Sequence, residues 1–251
     1  MVHFGLIMAA IPLVATVQSY TQLTPTVFQI SFTTDQAFEF EAGQFVSIVV
    51  PGAGPNGRDL RRAYSIASEP SQRPIDLCVK LVEGGPGTNY LNKLRPGDQF
   101  KCFAPYGSFT LKPKAGRNVC FIATGTGIAP FRSMAFARAF AEANPPKAWC
   151  LLGVREENEV LYADEFEKSQ VQWVPTVSRP SAGWSGFKGR VTDYLRAHSE
   201  QFDWLNTDFY LCGNGAMIDE IKALLTEKGV GKESLHLEVY YKPPKEAAPQ
   251  S

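Results

Sequence analysis

The stretch that decides the fold is Val119-Cys120-Phe121-Ile122-Ala123-Thr124-Gly125-Thr126-Gly127-Ile128-Ala129-Pro130-Phe131. A short apolar run ends in a glycine-rich turn, and a helical pattern begins at once. That is the order of a strand, an anion-cradling loop and a helix N-terminus. Gly125 and Gly127 let the backbone approach a pyrophosphate more closely than a residue with a side chain could. Pro130 suits a first helical turn, where its missing N–H removes nothing the helix uses. It stands where the dinucleotide fingerprint GxGxxG has its third glycine, so the motif is a variant and draws its weight from its surroundings.

Downstream, strands and helices alternate. Strands are predicted at Val119–Ala123, Ala148–Val154, Val171–Ser178 and Phe209–Cys212, and helices at Pro130–Asn144, Ala163–Ser169, Val191–His198 and Gly215–Lys228. Such alternation implies a parallel sheet covered by helices, a Rossmann-like α/β domain. Upstream, β-branched stretches at Ile11–Tyr20, Val27–Thr34, Gln44–Val50, Ala63–Ala67, Ile75–Leu81 and Asp98–Ala104 are separated by turn formers. Six closely spaced strands predict a small antiparallel β barrel. Leu111–Arg117 is polar and turn-rich, which sets a boundary between domains 1–113 and 114–251.

Composition narrows the function classes. With Lys+Arg and Asp+Glu equal at 25 each, there is no overall basic bias and hence no footprint for nucleic acid or an anionic membrane. The five cysteines are dispersed, with no CxxC pair and no iron–sulfur or zinc spacing, so no metal is expected. Their apolar contexts favour a reducing, cytoplasmic setting. The apolar run Phe4–Val17 lacks a preceding Lys or Arg and is interrupted by Pro12, so Leu13–Val17 reads as the first strand and the run is not expected to be a targeting segment. Residues Lys242–Ser251 read as a disordered tail. His3, His198 and His236 have no companions that suggest a metal or a catalytic dyad.

In Arg61-Arg62-Ala63-Tyr64-Ser65-Ile66-Ala67-Ser68, alternation points Arg62 and Tyr64 to one face and Ser65 to the other. A cation for phosphate, an aromatic for stacking and a hydroxyl for a ring nitrogen suit one flat, phosphorylated ligand. Taken alone, the segment is equally a strand with an exposed Arg–Tyr pair. Glu83-Gly84-Gly85-Pro86-Gly87-Thr88 opens a helix with Thr88 near its N-cap, offering a second anion site or a simple strand–turn–helix joint.

These motifs, followed by Cys212-Gly213-Asn214-Gly215, stand in the order and spacing of the ferredoxin–NADP+ reductase superfamily, which the chain resembles from about Ala10 to Tyr241. Phe40–Phe45 and Pro105–Phe109 resemble the turns at the two ends of that family's flavin barrel, and the family's pyridine-nucleotide loop reads GxGxxP. The resemblance implies FAD, with Arg62, Ala63, Tyr64, Ser65, Gly84, Gly85, Gly87 and Thr88 around it. It implies that Thr124, Gly125, Thr126, Gly127 and Pro130 form the coenzyme loop, and that Cys212 and Gly213 lie beside the nicotinamide. Leu235–Tyr241 resembles the closing Glu-x-Tyr of plant-type members, which makes Glu238 and Tyr240 catalytic candidates beside Ser65 and Cys212. Because ten residues follow Tyr241, that tyrosine could cover the flavin instead.

Arg155, Arg179 with Ser178, and Arg190 stand where NADPH-using bacterial members carry cations for the 2′-phosphate, although NADH-using relatives keep some of them. The function the resemblance implies is hydride transfer from NADPH to flavin, then single-electron transfer to ferredoxin or flavodoxin. Two alternatives remain open: an NADH-dependent reductase component of an oxygenase, and a non-catalytic flavin relay subunit.

Overall fold

Two units make up the computed structural model, which describes residues 9–241. One unit comprises residues 9–112 with Ala129–Ala143, and the other residues 113–128 with 144–241. The first holds β1 (Ile11–Thr24), β2 (Val27–Thr34), β3 (Phe45–Val50), β4 (Leu60–Ser65), β5 (Ile75–Lys80), helix α1 (Pro86–Lys93) and β6 (Gln99–Tyr106). Its strands form one antiparallel sheet in the order β4-β3-β6-β1-β2-β5. In the first half of β1 the buried residues are Leu13, Ala15 and Val17, the period of two that puts one face on a core. The sheet curls until its edge strands meet: Ile66 bridges Leu77, and the Ala67 N–H donates to the Asp76 carbonyl at 2.8 Å. The predicted barrel is therefore present, with Phe28, Ile30, Phe32, Ile48 and Phe100 in its core.

The turns at Phe40–Phe45 and Pro105–Phe109, expected at the two ends of the barrel, lie against each other. The Gln44 amide donates to the Gly107 carbonyl at 3.2 Å, and the Leu111 N–H to the Ala42 carbonyl at 3.1 Å.

The second unit is built on a parallel sheet in the order β10-β9-β8-β7-β11-β12. Its strands are β7 (Asn118–Thr124), β8 (Ala148–Val154), β9 (Gln172–Val177), β10 (Phe187–Lys188), β11 (Thr207–Asn214) and β12 (Leu235–Tyr241). Two of these lack a signal in the sequence. β10 is two residues long, and β12 is an edge strand with Leu237 and Val239 exposed, so neither carries a buried apolar run. The helix expected over Pro130–Asn144 is two, α2 (Ala129–Phe136) and α3 (Arg138–Ala143). At Ala137 the ladder tightens to a bond with the Met134 carbonyl three residues back, 3.3 Å. Asn144, at φ 42°, ends α3 ahead of two prolines. Both helices belong to the first unit, and the helices of the second are α4 (Ala163–Phe166), α5 (Val191–Ala197) and α6 (Gly215–Glu227).

Among the described residues no helix is long and apolar enough to cross a membrane, and no cluster could hold a metal ion. All five cysteines are buried, and none is in a disulfide. The start of the apolar run at Phe4, His3 and the tail from Lys242 fall outside the described residues.

Candidate active site

The barrel unit gathers the first set of candidates around the start of α1. A Cβ added at Gly87 would stand 2.5 Å from the Tyr64 hydroxyl and 2.9 Å from Arg62 Cγ. The two side chains therefore share a face, as alternation predicted, and the glycine lets the helix start press against both. Gly85 is the N-cap, and Thr88 stands near it, as expected, at the third helical position. The Thr88 hydroxyl braces the turn: it accepts from the Val82 N–H at 3.2 Å and donates to the Gly85 carbonyl at 3.2 Å. The first helical bond runs from Asn89 N–H to the Gly85 carbonyl, so the amides of Gly87 and Thr88 precede the ladder and face the turn. The Arg62 guanidinium is exposed, with a 2.9 Å bond to the Arg61 carbonyl. Ser65 is buried opposite Phe45. Ala63 is exposed and opposite Ser47, on the other face from Arg62 and Tyr64, so its side chain does not join them.

Burial pushes the Tyr64 phenol up to about 12, with the nearby Arg62 acting weakly in the other direction. The unfolded phenol ionises near 10.0, so the stability this group contributes is complete below pH 10 and is lost as pH rises through about 12. The expected outcome is an alkaline loss of stability across that window that Tyr64→Phe reduces, checked by thermal unfolding at stepped pH.

The parallel unit lays the second set along the C-terminal edge of its sheet. Arg190 follows β10, Ser178 and Arg179 follow β9, and Arg155 follows β8, three neighbouring strands held in register by Lys188↔Val177 and Val177↔Val154. The Arg179 N–H donates to the Arg155 carbonyl at 2.8 Å, which sets these two residues side by side. The Ser178 hydroxyl donates to the Val154 carbonyl at 3.3 Å. All three arginines are exposed. Arg190 is engaged with Glu220 at 3.4 Å, whereas the Arg155 and Arg179 guanidiniums have no partner among the described residues.

Next along the edge comes β7 with the turn Gly125–Ile128, a 3₁₀ turn leading into α2, where Pro130 is the second residue and buried. Gly125 sits at φ +52°, and a Cβ there would meet nothing within 4 Å, as a ligand-facing turn requires. Gly127 has a different reason to be glycine: a Cβ there would lie 2.3 Å from the Cys212 carbonyl oxygen. Its bareness seats the turn on β11 and leaves approach to a ligand to Gly125 and its half-buried neighbour Thr126. Gly213 likewise faces protein, since its Cβ would stand 2.2 Å from Thr124 Oγ1.

A residue outside the sequence-predicted set is Asn214, whose backbone and side-chain N–H groups donate to Thr124 Oγ1 at 3.1 and 3.3 Å. The same side chain caps α6, accepting from the Met217 N–H at 2.9 Å. An Asn just before a helical run is the available signal.

The far end of the edge brings Cys212, Glu238 and Tyr240 together. Cys212 lies opposite Glu238 in the β11–β12 ladder. Burial, reinforced by the Glu238 carboxylate, holds the Cys212 thiol well above its ordinary range, while a hydrogen bond with the Tyr240 side chain acts the other way. The thiol is therefore protonated at neutral pH, a polarizable neutral group and not a nucleophile. Tyr240 is 41% exposed. Tyr241 ends β12 as backbone, and its side chain lies outside the described residues. His198 stacks on Tyr194 and His236 on Tyr210, with ring centroids 4.2 and 4.4 Å apart.

Comparison with known proteins gives two domain matches. Residues 14–111 match the family described as the oxidoreductase FAD-binding domain, and residues 121–223 the oxidoreductase NAD-binding domain. A protein of Sorangium cellulosum named ferredoxin–NADP reductase B is 36% identical over 91% of this chain and 98% of its own length. The reductase component DmpP of phenol 2-monooxygenase from a Pseudomonas species is 30% identical over 90% of this chain, which spans 64% of that protein. Among solved structures, a ferredoxin NADP+ reductase from Neisseria gonorrhoeae superposes with a TM-score of 0.81 at 21% identity, covering 92% of this chain and 99% of the other, and so shares the fold. From the near full-length match to the Sorangium protein and the two domain matches, the chain belongs to the ferredoxin–NADP reductase family and is an oxidoreductase with an FAD-binding and an NAD-binding domain.

Proposed function

We propose that this chain oxidises NADPH and delivers the electrons one at a time to ferredoxin or flavodoxin. The observation that carries the reading is the order of residues along the C-terminal edge of the parallel sheet. Arginines lie on β8 to β10, the glycine turn on β7, and the thiol, carboxylate and tyrosine on β11 and β12. From β9 to β11 is three strand spacings, about 14 Å, a span suited to an extended dinucleotide with its adenosine end on the cations and its nicotinamide end on Cys212.

The barrel residues fit FAD in their chemistry. An exposed guanidinium, helix-start amides and a glycine with no room for a side chain make a pyrophosphate cradle beside an aromatic ring. In this reading residues 1–113 form the flavin domain and residues 114–251 the coenzyme domain. Arg62 and the Gly84–Thr88 turn hold the pyrophosphate, Tyr64 stacks on the isoalloxazine, and Ser65 hydrogen-bonds a ring nitrogen. Bound FAD supplies the conversion between two-electron and one-electron transfer. The chain's own part is positional. Arg155, Ser178, Arg179 and Arg190 bind the 2′-phosphate, and Gly125 and Thr126 admit the coenzyme backbone. The buried Cys212 thiol offers an apolar, neutral contact to the nicotinamide, and Tyr240 gates its access.

The Sorangium relative's name supports the carrier, and NADPH is favoured because the Arg155 and Arg179 guanidiniums have no protein counter-ion among the described residues. Anaerobic titration of the purified protein with each coenzyme tests the reading. NADPH is expected to bleach the visible flavin spectrum at more than tenfold lower concentration than NADH. Preference for NADH would point to the reductase-component alternative, and a protein that cannot take up FAD would sink both.

A further inference from the structure

Asp76 is a carboxylate in the interior of the barrel unit, 3% exposed, and both its oxygens are engaged. Oδ1 accepts from the Ser31 hydroxyl at 2.6 Å. Oδ2 accepts from the Gln72 amide at 3.0 Å and from Arg132 Nη1 at 3.1 Å. The same Arg132 nitrogen donates to the Ala67 carbonyl at 3.1 Å. The ring closes through the backbone, because the Asp76 N–H donates to the Ser68 hydroxyl at 3.1 Å and the Asp76 carbonyl accepts from the Ala67 N–H at 2.8 Å.

The two ends of this network are the point of interest. Ala67 lies two residues beyond Ser65, and Arg132 lies in the first turn of α2, whose start is the end of the Gly125–Ile128 turn. Apolar contacts also join α2 to the barrel: Phe131 meets Phe109 edge-on at 6.0 Å, and a Cβ at Gly43 would collide with Met134. Apolar contacts resist separation but allow a helix to slide, whereas a guanidinium bonded to two fixed acceptors sets its register. A buried ion pair adds little net stability over well-packed apolar residues of the same volume, so stability alone does not account for this one.

We infer that Asp76 and Arg132 are positioning residues for the redox reaction. They lock α2 in register with the strand segment that carries Ser65, and thereby hold the glycine turn from which α2 grows. This rests on the reading of that turn as the coenzyme site. Neither residue touches a reacting atom, and their action passes through the turn and through Ser65.

The test compares wild type with a variant in which the pair is made apolar, Asp76→Leu with Arg132→Met. Removing one partner alone would strand a buried charge and confound the result. The double variant is expected to keep its Tm within a few degrees and its full FAD content. Its flavin should be reduced about 10- to 100-fold more slowly at saturating NADPH, the scale of loss that small misplacements produce. Amides of residues 125–128 should exchange hydrogen for deuterium about tenfold faster even in protein stripped of FAD, a readout independent of turnover. Wild-type exchange together with a wild-type rate would overturn the inference.

Should the double variant fail to fold, Arg132→Lys carries the test, because it keeps the charge but ends short of the Arg132 Nη1 position that makes both bonds. Faster exchange at the turn then supports the inference, and unchanged exchange overturns it. If neither coenzyme reduces the wild-type flavin, the reading of the turn has failed on its own. The exchange measurement still decides whether the pair holds the turn.

Discussion

Replacing Arg179 by Gln is expected to raise the KM for NADPH about 10- to 100-fold while leaving that for NADH within about twofold. A charge-assisted hydrogen bond contributes about 1.5–3 kcal/mol, which is roughly a 10- to 150-fold change in affinity. The exposure of Arg179 places the effect short of the upper end. The same exposure makes the preference depend on salt, and the gap between the coenzymes should narrow as ionic strength rises. Arg190→Gln should cost less, because its guanidinium already bonds Glu220 at 3.4 Å. Steady-state kinetics with both coenzymes at two ionic strengths check all of this. Equal losses for NADPH and NADH would remove Arg179 from the 2′-phosphate.

Gly213→Ala should be severely damaging for a single added methyl. The residue sits at φ +146°, and the added Cβ would stand 2.2 Å from Thr124 Oγ1 and 3.0 Å from the Thr124 amide nitrogen. Backbone strain of about 1–3 kcal/mol adds to overpacking of about 1–3 kcal/mol. Against a total stability of about 5–15 kcal/mol, that predicts a fall in Tm on the order of 10 °C. It should also break the Thr124–Asn214 contacts that hold the two loops together, so coenzyme binding is lost along with stability. Thr124→Ala combined with Gly213→Ala should recover part of the Tm, since it removes the side-chain clash but not the strain. Gly116→Ala is the control: φ is +74° there with nothing within 4 Å, so only the strain remains and the loss should be about half or less. Thermal unfolding of the four proteins separates the contributions.

Much of this is legible in the chain because the signals are local. β-Branched stretches between turn formers mark the barrel strands, and the alternation in Arg62-Ala63-Tyr64 puts the cation and the ring on one face. What a linear sequence does not carry is which atoms meet across the fold. Gly127 and Gly213 look like ligand glycines, yet each is bare because a neighbouring strand or loop needs the space. Thr88 lies near the cap as its position suggests, but that its hydroxyl braces the turn through Val82 and Gly85 shows only in the fold. Asp76 and Arg132 are 56 residues apart, and neither lies in a motif, so nothing short of the folded barrel could pair them. The edge strands β10 and β12 are hidden for a related reason: one is too short and the other too exposed to show a buried pattern.

The contrast between the two ends of the sheet edge has a consequence for how such a protein can change. Arg155, Arg179 and Arg190 stand on exposed loops, where a substitution disturbs little besides the ligand. Gly127, Cys212 and Gly213 are buried and mutually in contact, so any one of them can be altered only if its neighbours alter too. On the proposed reading, coenzyme preference is thus free to drift by single steps, while the end of the site proposed for the nicotinamide is confined to concerted ones. A laboratory lineage selected for NADH should accumulate its changes on β8 to β10 and leave β7 and β11 as they are.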